Sequence, residues 1–82
     1  MPHIVLTSTL SNRFTEGVHR FDVSATNVRQ LFRELEERYP GLGREIENAQ
    51  ALAIDGVIFQ DPYLQSIAAD AEVFVLPKLG GG

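Results

Sequence analysis

Eighty-two residues form one small domain, since a chain this short buries only about 60 to 65% of its unfolded surface, and they leave no room for a second. The absence of cysteine excludes disulfides, thiolate nucleophiles and Cys-based zinc sites. Seven basic against eleven acidic residues give a net charge of −4, which disfavours nucleic acid and anionic membrane as partners and tolerates a basic one.

Ile4 to Thr7 is rich in β-branched residues, and Val18 to Ser24 alternates with His19, Phe21 and Val23 on one side, so both read as strands. Between them Thr9 to Gly17 is polar, ends on Glu16-Gly17 and reads as a long hairpin loop. Thr26 or Asn27 offers an N-cap, with Gln30 three residues beyond Asn27, and Val28, Leu31, Phe32, Leu35 and Tyr39 follow at helical spacing. The opposite face pairs Arg33 with Glu37 and Glu34 with Arg38 at i and i+4, and Pro40-Gly41 stops the helix.

Leu42 to Gln50 is mixed and charged and reads as a loop or short irregular turn. Leu52 to Ile54 and Val57 to Phe59 flank Asp55-Gly56, the pair preferred in type I′ hairpins because Gly accepts a positive φ and Asp tolerates it. Asp61-Pro62 opens a turn, Tyr63 to Ile67 is long enough for one helical turn, and Val73 to Leu76 forms a last strand that Pro77 ends. The expected fold is α+β, one main helix on a small mixed sheet, with residues 1–77 as the body and 78–82 as a flexible tail.

Few residues suggest chemistry within the body. His3 and His19 lie on predicted strands without the spacing of a zinc site, and read as exposed strand residues, so no metal is expected. Asp70 and Glu72 stand two apart, close enough for an acid pair, but read as turn and strand-edge residues. No phosphate-binding glycine loop occurs, and an independent enzyme is not expected. No stretch approaches a membrane span and Met1-Pro2-His3 lacks the pattern of a signal peptide, so the expected setting is the cytoplasm.

The end of the sequence is more specific. A closing Gly-Gly arises by chance about once in 200 chains, and here Gly80, Gly81 and Gly82 follow a strand and a proline. Such a stem carries a carboxylate into slots too narrow for a Cβ, and four extended residues reach about 14 Å. If Val73 and Val75 face the helix, Phe74 and Leu76 face away, as Val5 does when Ile4 and Leu6 point inward. Val5, Phe74 and Leu76 then form an apolar patch beside the tail, unless Leu42 to Gln50 folds over it. Lys78 is the only lysine beside six arginines, which weighs against a modifier that builds chains on itself.

The helix VRQLFRELEERYPGL (28–42), the Asp55-Gly56 hairpin and the ending Glu72 to Gly82 resemble the MoaD/ThiS family of ubiquitin-like β-grasp sulfur carriers over essentially the whole chain. Pro77 matches the family's first tail proline, Lys78 replaces the second, and the essential glycine pair maps onto Gly81 and Gly82. Thr9 to Gly17 is also similar to carriers that serve cysteine synthesis.

The resemblance implies that an E1-like adenylyltransferase joins the Gly82 carboxylate to AMP from ATP, and that a sulfur donor then converts it to a thiocarboxylate. A receiving synthase subunit uses that sulfur, with molybdopterin the leading pathway and thiazole, cysteine and thiolated RNA the others. On this reading no cofactor is bound by the chain itself. Gly80 and Gly81 form the stem, Val5, Phe74 and Leu76 hold the body to either partner, and Lys78 meets an acidic rim. Two other readings remain: a ubiquitin-like tag joined through Gly82 to protein lysines, and an interaction module with an inert tail.

Overall fold

A computed structural model describes residues 1–78. Its elements run β1 (His3–Val5), α1 (Ser8–Phe14), β2 (Arg20–Asp22), α2 (Val28–Arg38), α3 (Leu42–Ala49), β3 (Gln50–Ile54), β4 (Val57–Phe59) and β5 (Glu72–Pro77). The strands form one mixed sheet in the order β2-β1-β5-β3-β4, with β1 and β5 parallel and every other pairing antiparallel. The α+β layout is as expected, with two further helices.

α2 starts where the sequence places it. The Asn27 side chain accepts the Gln30 amide at 2.8 Å, satisfying one of the donors a helix start leaves open. The Gln30 side chain reaches past Asn27 to accept from the Thr26 amide and hydroxyl, at 3.0 and 2.9 Å. Val28, Leu31, Phe32 and Leu35 are buried on the inner stripe. On the outer side Glu34 pairs with Arg38 at 3.4 Å and also accepts the Ser24 amide.

Two segments expected as loops are helices. In α1 only Leu10 and Phe14 are apolar, one turn apart, and Leu10 is buried in the core while Phe14 packs against its edge. The polar residues around them are satisfied locally. Thr7 caps the Leu10 amide, and the hydroxyls of Ser11 and Thr15 donate to carbonyls one turn back, so both bury at little cost. Glu16 and Gly17, at φ 55° and 91°, then turn the chain toward β2, which is shorter than the Val18 to Ser24 strand expected.

α3 lacks any capping side chain at its start because Gly41 stands there, at φ 96°. The cap comes from α2, where the Glu36 carboxylate accepts the amides of Gly41 at 2.7 Å and Arg44 at 3.0 Å. Leu42 and Ile46 are buried in the same core as α2, and Gly43 lies against the α2 backbone so closely that a Cβ there would sit 2.2 Å from the Phe32 carbonyl oxygen. α3 therefore lies on the helix side of the sheet and leaves the other face bare. Tyr63 to Ile67 forms no helical turn; the Val28 amide donates to the Gln65 carbonyl, and Ser66 bridges to Asn27.

The Asp55-Gly56 hairpin forms with Ile54 opposite Val57 and with both turn residues at positive φ, 49° and 87°. Asp55 also accepts the Glu72 amide through its side chain and donates its own amide to the Glu72 carbonyl, which ties the turn to β5.

Gly43→Ala is expected to destabilise the fold by about 2 kcal/mol or more, because backbone must move to admit the methyl, and urea unfolding measures it. The two amides hold the Glu36 carboxyl below its ordinary value, so its contribution is present above the unfolded-state pKa and is lost as pH falls through the folded-state value. The stability gap between the native chain and Glu36→Gln is accordingly expected to shrink on acidification below pH 4.5, the ordinary value for this carboxyl.

Candidate functional site

Side chains along a strand alternate between faces, so the register of five strands decides which residues share a surface. One row runs Phe21, Ile4, Val73 and Ile54 under the helices and ends at Val57, which is 56% exposed at the sheet edge. The next row runs Arg20, Val5, Phe74, Ala53 and Ile58 on the bare face, and Leu76 lies beside Ala51 one step further along. Ile4 and Val73 are fully buried, while Phe74 is 38% and Ile58 53% exposed.

Val5, Phe74 and Leu76 thus stand together on one uncovered face, as the sequence pattern predicts. The small side chains of Ala51 and Ala53 leave a shallow floor between Phe74, Leu76 and Ile58. Ile58 and Arg20 were not among the expected partner-binding residues. The two-residue hairpin loop already sets Ala53 opposite Ile58, so that part was available from the sequence; the pairing of Ala53 with Phe74 is long-range and was not.

A polar corner borders the apolar row. The His3 Nε2 lies 2.9 Å from a Glu72 carboxylate oxygen and 3.1 Å from an Arg20 guanidinium nitrogen, which itself stands 3.4 Å from the same oxygen. That one ring nitrogen donates to Glu72 when it carries a proton and accepts from Arg20 when it does not. Glu72 is thereby committed to His3 and Arg20, while Asp70 and His19 are exposed. Among the described residues no group of three or more His, Cys, Asp or Glu side chains is placed to hold a metal.

Lys78 follows β5 and its Nζ stands 3.8 Å from the Asp61 carboxylate, a long contact to an exposed acid that a partner's carboxylate can displace. It is half-buried and is the last described residue, so the expected stem and working group, Gly80, Gly81 and Gly82, lie outside the described residues. No helix among the described residues is long and apolar enough to cross a membrane.

No family model and no curated protein matches the sequence. Solved structures do match. CysO of Mycobacterium tuberculosis, described as an antigen, superposes with a TM-score of 0.82 at 16% identity, over 96% of this chain and 100% of that one. A chain of the BexX/CysO complex of Amycolatopsis orientalis gives 0.82 at 13% identity, covering 100% of both. SAMP1 from Haloferax volcanii gives 0.69 at 18%, covering 99% and 98%. The fold is therefore the ubiquitin-like β-grasp.

The two faces of the sheet are expected to respond differently to substitution. Ile4→Ala empties a core position and is expected to cost about 2–5 kcal/mol in chemical denaturation, whereas Val5→Thr, which keeps the β-branch on the bare face, stays within about 1 kcal/mol.

Proposed function

We propose that the chain is a ubiquitin-like sulfur carrier whose working group is the carboxyl of Gly82. The observation that carries this reading is the conjunction of a bare apolar sheet face at Val5, Phe74 and Leu76 with a strand, β5, that runs from that face into a Gly80-Gly81-Gly82 ending. The likeness of the fold to CysO and SAMP1 supports it.

In the proposed cycle an E1-like partner docks on the bare face and brings Gly82 to ATP. A carboxylate oxygen, ionised at neutral pH because its ordinary pKa is about 3.5, attacks the α-phosphorus and expels pyrophosphate. The acyl adenylate is a far better acyl donor than the carboxylate. A persulfide on a sulfur donor displaces AMP, a thiol of that donor cleaves the resulting S–S bond, and a Gly82 thiocarboxylate remains. A sulfur-accepting synthase subunit then takes up the same face, uses the sulfur and returns the carboxylate. ATP and the sulfur source belong to the partners, and the body of the carrier holds no reacting group.

Two of the matched structures contain CysO, and this likeness favours cysteine over molybdopterin as the destination of the sulfur. That choice agrees with the similarity of Thr9 to Gly17 to cysteine-serving carriers. Molybdopterin, thiazole and thiolated RNA are the remaining branches.

Intact mass of the protein recovered from its host is expected to show one carboxyl oxygen replaced by sulfur in part of the population, and removal of Gly81 and Gly82 is expected to abolish it. Only unmodified carboxylate, even after incubation with the activating enzyme, ATP and a sulfur donor, would refute the proposal.

A further inference from the structure

The six arginines fall into two groups. Arg13, Arg20 and Arg38 pair with Glu45, Glu72 and Glu34 at 4.0, 3.4 and 3.4 Å. Arg29, Arg33 and Arg44 are exposed, make no ion pair among the described residues, and all line one groove of about 310 Å³ between α2, α3 and the segment after β4. Arg44 also helps to hold the Glu36 carboxyl below its ordinary value, while Arg29 and Arg33 have no acidic partner among the described residues, in a chain whose net charge is −4. The pattern is that of a surface kept open for an outside anion.

The groove has an apolar base. Phe32, only 7% exposed, forms its floor, and Tyr63, 42% exposed, stands beside it with ring centroids 6.3 Å apart. Past Tyr63 the depression continues against Pro62. Of the two acids in the wall, Glu36 has both carboxylate oxygens engaged by the amides at the start of α3, which leaves Glu47 as the one acid turned to the groove without such a role.

We infer that this groove binds an acidic, extended peptide segment of a partner protein, with carboxylates at alternate residues and an apolar side chain between them. Arg29 and Arg33 are one helical turn apart, a rise of about 6 Å, which matches the spacing of about 6.8 Å between alternate side chains of an extended chain. Arg44 supplies a third contact from the facing helix. Phe32 and Tyr63 receive the intervening apolar group, as aromatic anchors do at protein interfaces. Separated carboxylates fit the separated guanidinium groups. Because the helices cover the inner side of the sheet, the groove opens away from Val5, Phe74 and Leu76, and both surfaces can be occupied at once. The inference does not rest on the sulfur-carrier proposal.

The probe is a fluorescein-labelled Glu-Phe-Glu-Leu-Glu peptide, followed by fluorescence anisotropy at low ionic strength, where charge contacts are least screened. Saturable binding is expected, weakened at least about tenfold in the Arg29→Gln/Arg33→Gln/Arg44→Gln variant and within about twofold of native in Arg13→Gln. The three positions are exposed, so thermal melting of the triple variant is expected to match the native chain and to separate loss of binding from loss of fold. Inorganic phosphate at matched ionic strength is expected not to displace the peptide. The inference is overturned by absence of saturable binding, by equal binding to the triple variant, or by phosphate displacing the probe as well as unlabelled peptide does.

Discussion

The two-residue period of β5 is the constraint from which the rest follows. β5 pairs with β1 on one side and β3 on the other, and it sends Val73 and Val75 into the core with Ile4, Leu52 and the inner stripe of α2. The same alternation obliges Phe74 and Leu76 to face the opposite way. A shift of register by one residue would exchange the two sets and bury Glu72, so the pairing cannot slip to hide the outward residues. All three helices contribute to the inner core, and the apolar row on the outer face is a by-product of folding that a partner can use.

β5 also gives the proposed function its geometry. The strand that lays Phe74 and Leu76 on the bare face continues to Pro77 and Lys78, so whatever grips that face is positioned next to Lys78, after which the glycines follow in sequence. Under the proposed function the body supplies an address and the Gly82 carboxyl supplies the chemistry. The charged corner of His3, Arg20 and Glu72 borders the apolar row and gives the face a polar edge.

The sequence showed the fold class, α2 with its N-cap, the Asp55-Gly56 hairpin and the inward and outward residues of β1 and β5, because each rests on local periodicity or on a turn with strict φ requirements. α1 and α3 were hidden for a shared reason. Each sets only two apolar side chains one turn apart against the core, Leu10 with the partly buried Phe14 and Leu42 with Ile46, too few to register as a helical stripe. What holds them as helices is tertiary: α1 through Leu10 in the shared core, with its hydroxyls satisfied locally, and α3 through the Glu36 carboxylate of another helix and the bare backbone at Gly43. The outer face was legible residue by residue on β1 and β5, but its extension to Ile58 and Arg20 needed the sheet order, which depends on contacts between strands far apart in sequence.

The central claim concerns a single carbon atom, and carbon NMR of a chain labelled at the glycine carbonyls observes it directly. In the presence of the activating enzyme, ATP and a persulfide donor, the Gly82 carboxyl resonance is predicted to move far downfield to a thiocarboxylate position while the carbonyls of Gly17, Gly41, Gly43 and Gly56 within the body stay in place. A Gly82 resonance that remains that of a free carboxylate, with the activating enzyme shown to be competent, would contradict the account.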